Sequence, residues 1–101
     1  MSRVSNFELN QTADGSFELI GEMTFETAAQ ILKSSEKNFA QHAETQVNLS
    51  QVGKADSAGL ALLLEWKAQA RNRNAVIRFV AVPDSLLAIA KTTEVSDLIA
   101  D

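Results

Sequence analysis

The sequence predicts an α/β fold: a mixed β-sheet of about four strands with helices packed on it, in the order ββαβαβαα. Three observations point there. Period-two alternation marks two stretches near the N-terminus, helical spacing separates the later strand candidates, and the short apolar run Ala75 to Val82 lies between two of the helical stretches. With 101 residues the chain reads as one domain, residues 1–101.

Each element has its own signal. Phe7, Leu9 and Gln11 alternate with Glu8, Asn10 and Thr12, the period of a half-exposed strand. Ala13-Asp14-Gly15 is a turn, Gly15 being free to take positive φ, and Phe17, Leu19 and Gly21 then alternate with Glu18, Ile20 and Glu22 to complete a hairpin. Thr24 is the expected N-cap of a helix from about Phe25 to Gln41. Its predicted apolar stripe is Phe25, Ala28, Ala29, Leu32, Phe39 and Ala43, with Glu26, Gln30, Lys33 and Lys37 on the other side. His42, near the end, reads as a solvated residue that suits the helix dipole when protonated.

Val47, Leu49 and Gln51 alternate with Asn48, Ser50 and Val52 as a third strand, and Gly53-Lys54 is read as a turn. A second helix follows from about Ala58 to Arg71 or Asn72, closed by Asn72-Arg73-Asn74. Ala75 to Val82 is the best candidate for a buried strand, interrupted only by Arg78. Pro83-Asp84-Ser85 starts a helix through about Lys91, with Leu86, Leu87, Ile89 and Ala90 as its apolar residues, and Val95 to Ala100 is expected as a last turn or short helix.

Composition removes several classes of function. The chain is 46% hydrophobic, as globular proteins are, so it is not a disordered acidic tail. It has no Cys, hence no disulfide, thiolate nucleophile or Cys-based zinc site, and one His cannot build a multi-His metal site or a two-His catalytic pair. No metal and no cofactor are expected. A net charge of −4 argues against broad electrostatic capture of nucleic acid or of an anionic membrane. No apolar signal core opens the chain, and the longest run without a polar side chain, Ala58 to Leu64, is about a third of a membrane span. The expectation is a cytoplasmic chain without direct membrane insertion.

The segment Asp56-Ser57-Ala58-Gly59-Leu60 carries the specific signal. Ser57 falls at the N-cap or first turn of a helix, where its hydroxyl meets free backbone N–H groups, and Asp56 is equally able to cap. Gly59 has no side chain, so a partner's backbone or a phosphate could approach there. Three roles compete for Ser57: a plain cap, a phosphoacceptor whose added charge changes the cap and any docking surface, and a nucleophile. The nucleophile is the weakest, since no Gly-x-Ser-x-Gly elbow surrounds Ser57 and His42 is the lone His. Gly53-Lys54 does not open a phosphate loop, because the required earlier glycine would fall at Asn48. On the helix behind the junction, Leu60, Leu63, Leu64 and Ala68 form one apolar line, while Leu62 and Trp66 lie on another. The second line reads either as core covered by the neighbouring helices or as an exposed interface anchor, and the small size of the chain favours the anchor.

Val47-Asn48-Leu49-Ser50 followed by Asp56-Ser57-Ala58-Gly59-Leu60-Ala61-Leu62-Leu63 resembles the STAS domain (sulfate transporter and anti-sigma factor antagonist), whose element order the whole chain shares. The leucine-rich stretch to Trp66, with Ser85 to Lys91 and Val95 to Ile99, looks most like the MlaB-like cytoplasmic STAS subunit of the Mla phospholipid ABC transporter. That resemblance implies a non-enzymatic accessory subunit that binds the transporter's ATPase subunit and, through it, the membrane permease, supporting outer-membrane lipid asymmetry from the cytoplasmic side of the inner membrane. The implied partner-binding residues are Asp56, Ser57, Ala58, Leu62, Trp66 and Leu86. The alternative implied by the family is an anti-sigma factor antagonist phosphorylated at Ser57, though Ala58 departs from the second Ser or Thr that antagonists usually show there.

Overall fold

A computed structural model describes residues 6–95 and residue 99. The elements are β1 (Phe7–Ala13), β2 (Ser16–Met23), α1 (Ala28–Ala40), β3 (Glu44–Ala55), α2 (Ser57–Asn72), β4 (Val76–Val80) and α3 (Asp84–Thr92). The four strands form one mixed sheet in the order β1-β2-β3-β4, with β1 antiparallel to β2 and the remaining pairs parallel. The expected α/β class, mixed sheet and element order are what the described residues show through α3. The last predicted turn, Val95 to Ala100, falls mostly outside them, with Ile99 helical and buried.

Both β-α-β crossovers step one strand in the same direction, so their right-handedness sets α1 and α2 on one face of the sheet. The strand side chains turned toward that face are Phe17, Leu19 and Met23 from β2, Val47 and Leu49 from β3, and Ile77 and Phe79 from β4, all buried. The opposite face carries Glu8, Asn10, Glu18, Gln46 and Arg78, the solvated side that such alternation predicts.

Several expectations need correction. The first helix begins at Ala28, three residues after Phe25. Thr27 is responsible: its hydroxyl accepts from the Thr24 N–H at 2.9 Å and donates to the Glu22 carbonyl at 2.9 Å, folding Thr24–Thr27 into a separate turn. Phe25 is thereby expelled from the core and is 84% exposed. Of the predicted stripe the helix buries Phe39 fully and Ala28 and Leu32 in part, while Ala29 and Ala43 face solvent; Ile31 and Ser35, outside that stripe, are buried instead.

Gly53-Lys54 is not a turn. Both residues lie within β3, and Gly53 is the residue skipped where the β2–β3 register jumps from Gly21↔Val52 to Glu22↔Lys54. A bulge absorbs the extra residue and the strand continues. β4 is shorter than predicted and half-exposed, because the helices cover only one face of the sheet: Val76, Arg78 and Val80 face water on the other face while only Ile77 and Phe79 are buried. Ala81, at φ 58°, breaks its extended path.

Leu62, Trp66 and Leu86 are core residues, not exposed anchors. Trp66 is 1% exposed; its ring packs between Phe39 of α1 and Phe79 of β4, at centroid distances of 5.2 and 6.0 Å. Its indole N–H donates to Ser35 Oγ at 2.8 Å, and Ser35 Oγ in turn donates to the Leu32 carbonyl at 2.7 Å. The second apolar line of α2 is thus covered by α1, while α3 buries Leu86 and Ala90 on the other flank.

Candidate functional site

Parallel strands deliver their C-terminal ends to one end of the sheet, and here that end gathers the Thr24–Thr27 turn, Asp56 and the first turn of α2. Asp56 ties them together. It is the N-cap of α2: Oδ1 accepts from the Ala58 N–H at 2.9 Å, while Oδ2 accepts from the Phe25 N–H at 3.2 Å. One carboxylate therefore satisfies an orphan helix donor and holds the neighbouring loop in place. Ser57 follows as the first helical residue and is exposed, so the cap belongs to Asp56 and the Ser57 hydroxyl is left toward solvent.

Gly59 has a different purpose from the one expected. A Cβ there would lie 2.5 Å from the Met23 carbonyl oxygen and 3.0 Å from the Met23 side chain. The backbone that approaches Gly59 is the chain's own β2, and that approach lets α2 sit down on the end of the sheet. Gly59 is buried and offers no surface to a partner.

Sequence reasoning missed the most exposed part of the site. Phe25, whose backbone N–H is held by Asp56, leaves its ring in water. A shallow cavity of about 330 Å³ runs between α1 and α2, lined by Ala28, Ala29, Leu32, Ala58, Ala61, Leu62 and Glu65. Its lining is almost wholly apolar; Ala58 is half-buried, and Leu62, nearly closed over, forms the floor. Of the expected set, Asp56, Ser57, Ala58 and the edge of Leu62 come together here, whereas Trp66 lies in the core and Leu86 lies on the buried face of α3. The signal that could have found Phe25 is the Thr24-x-x-Thr27 spacing, which allows a self-contained turn ahead of the helix.

Ser57 has no catalytic neighbour in His42. That ring sits before β3, edge-on to Phe17 and 3.6 Å from Asp14, at the opposite end of the strand from Ser57. Among the described residues no three His, Asp or Glu side chains converge as a metal site, and no helix is long and apolar enough to cross a membrane.

Comparison with known proteins agrees with this architecture. The structure is similar to a putative anti-sigma factor antagonist from Thermotoga maritima, with a TM-score of 0.74 at 16% identity over 93% of this chain and 83% of that one. It is also similar to the unphosphorylated anti-sigma factor antagonist SpoIIAA, at TM-score 0.71 and 14% identity over 94% and 86% of the two chains. The phosphorylated form of the Bacillus cell fate determinant SpoIIAA matches at TM-score 0.68 and 14% identity, over 94% of this chain and 89% of that one. Likeness at such identity establishes the fold. No curated protein matches the sequence. The family model described as "Mlab, STAS domain" matches residues 9–100, and the chain belongs to that family.

Proposed function

We propose that this chain is the cytoplasmic, non-enzymatic accessory subunit of an Mla-type ABC phospholipid transporter, and that it docks on the ATPase subunit through the end of the domain built around Asp56. The observation that carries the reading is Phe25, 84% exposed, with its backbone N–H tied to Asp56 at the head of α2, the helix that walls the apolar α1–α2 groove. An aromatic ring left in water costs free energy in the isolated chain, and burial in a partner recovers it. The family description supports the choice of partner. Asp56 positions the surface, Ser57 and Ala58 contribute its rim, and the edge of Leu62 forms its floor. Nucleotide is bound and hydrolysed by the partner, and membrane association runs through the partner's permease.

Affinity purification of the chain from its native host tests this reading. Co-purification of an ABC ATPase together with a membrane permease is the expected result. Phe25→Ala should abolish their recovery, and Ser57→Asp should weaken it by placing a charge on the rim. Recovery of a serine kinase without a transporter overturns the proposal in favour of the phosphorylation-controlled antagonist, a reading to which the exposed Ser57 hydroxyl gives access.

A further inference from the structure

The far end of α2 carries a different surface. Four of the nine Lys and Arg residues, Lys67, Arg71, Arg73 and Arg78, fall in one stretch, and no Asp or Glu occurs between Trp66 and Pro83. All thirteen acidic residues lie elsewhere in the sequence, so a chain of net charge −4 has one cationic stretch without an acid, although Asp14 and Glu44 share a cleft with Arg78 on the far face of the sheet. The helix dipole accounts for Arg71 in the last turn of α2, and Arg73 is spent on the Phe39 carbonyl at 3.3 Å. Lys67 and Arg78 are not explained that way.

Lys67 and Arg71 border the free edge of β4, the last strand of the sheet, on its helix side, whereas Arg78 turns to the other face. The Val76 N–H donates to the Ala43 carbonyl at 2.8 Å, so Val76, Arg78 and Val80 turn their backbone groups toward β3. The groups of Ile77 and Phe79 therefore point outward, away from the sheet. Lys67 Nζ reaches across the Phe79 ring, 5.3 Å from its centroid, and donates to the Ile77 carbonyl at 2.7 Å. Beside the edge is a cleft of about 420 Å³ lined by Lys67, Ala70, Arg71, Asn74, Val76 and Ile77, with no acidic residue among its walls.

We propose that the β4 edge takes an extended acidic segment of a partner protein as an added strand. Main-chain hydrogen bonds to Ile77 and Phe79 supply the pairing. Alternate side chains of the segment then face two environments: one set, carboxylates, meets Lys67 and Arg71, and the other set, β-branched, covers the exposed Val76 and Val80. Lys67 is the latch. In the free chain it occupies the Ile77 carbonyl and blunts the edge against indiscriminate pairing; a carboxylate draws it off and frees that acceptor. The surface is distinct from the Asp56 end: Arg71 is about 20 Å along α2 from Ser57.

The probe is a synthetic peptide of about nine residues alternating glutamate and valine, a usual strand length and a little more, titrated into the full chain and followed by amide NMR. The expected result is shifted and exchange-protected amides at Ile77 and Phe79. Arg71→Glu, an exposed substitution, should weaken binding about tenfold, since it replaces an attraction with a repulsion. The same peptide with lysine in place of glutamate should leave the spectrum unchanged. Unmoved Ile77 and Phe79 amides at millimolar peptide overturn the proposal, as does equal binding of the lysine peptide or undiminished binding to Arg71→Glu. Arg71-dependent sedimentation with phosphatidylglycerol vesicles, without peptide binding, would assign the patch to a membrane surface and also overturn it.

Discussion

Three residues show how single positions are constrained. Gly59 makes room for the Met23 carbonyl, and Gly59→Ala should cost about 1–3 kcal/mol, because backbone on both sides must move. Urea unfolding followed by the fluorescence of Trp66, the chain's one tryptophan, measures it. Asp56→Ala removes both the α2 cap and the tether of the Phe25 loop, and a loss of about 1–2 kcal/mol is expected from the cap alone. Ala81 points the other way. Its φ of 58° suits glycine better than alanine, so Ala81→Gly should stabilise the fold slightly, by up to about 1 kcal/mol after the added freedom of the unfolded glycine is counted, read as a higher urea midpoint. The sequence drew attention to Gly59 and Asp56 but not to their partners. What a glycine leaves space for is decided by whichever segment packs on it.

At the scale of elements, α1 and α2 are joined through the Trp66–Ser35 hydrogen bond inside an aromatic row that runs Phe17, Phe39, Trp66, Phe79. Ser35→Ala leaves the indole N–H buried without an acceptor and should cost about 1–3 kcal/mol in thermal or urea unfolding. Trp66→Ala should cost more, about 3–5 kcal/mol, and a folded variant that merely lost a binding partner would contradict the core assignment. Periodicity placed α2 to within a residue, because its apolar repeat is long. It failed for the start of α1, where side-chain hydrogen bonds of Thr27 outcompete helix continuation, and within β3, where a bulge leaves Gly53 looking like a turn. Ala75 to Val82 read as fully buried since composition alone does not show that one face of the sheet is left uncovered.

At the scale of the molecule, the two ends of α2 differ in chemistry. One end is apolar and small, headed by Phe25; the other is cationic and lies on an open strand edge. Phe25→Ala should leave the unfolding midpoint nearly unchanged, because the ring contributes little to the core. Its effect should appear in binding: burying a phenylalanine is worth about 1.5–3 kcal/mol, so affinity for the ATPase subunit should fall by roughly ten- to a hundredfold in a titration of the purified proteins. Raising salt should scarcely alter that interaction, in contrast to the acidic peptide at β4. The candidate loop, Asp-Ser-x-Gly at a helix start, was legible in the sequence. Which side chains around it stay exposed was not, since exposure depends on which helix covers which.

The sequence by itself determined the α/β class, the order of the elements, the family and the loop at which to look. Alternation, caps and a short motif are local, and local chemistry is enough for them. Only the tertiary structure decided which apolar side chains remain outside. Trp66 and Phe25 carry the same signal in a string of letters, a large apolar residue at helical spacing. α1 folds over Trp66 and supplies its indole with an acceptor, while the Thr24–Thr27 turn swings Phe25 clear of the same helix. Burial is a property of the packed layers, and the residue that sequence periodicity assigned to the core is the one left facing the solvent.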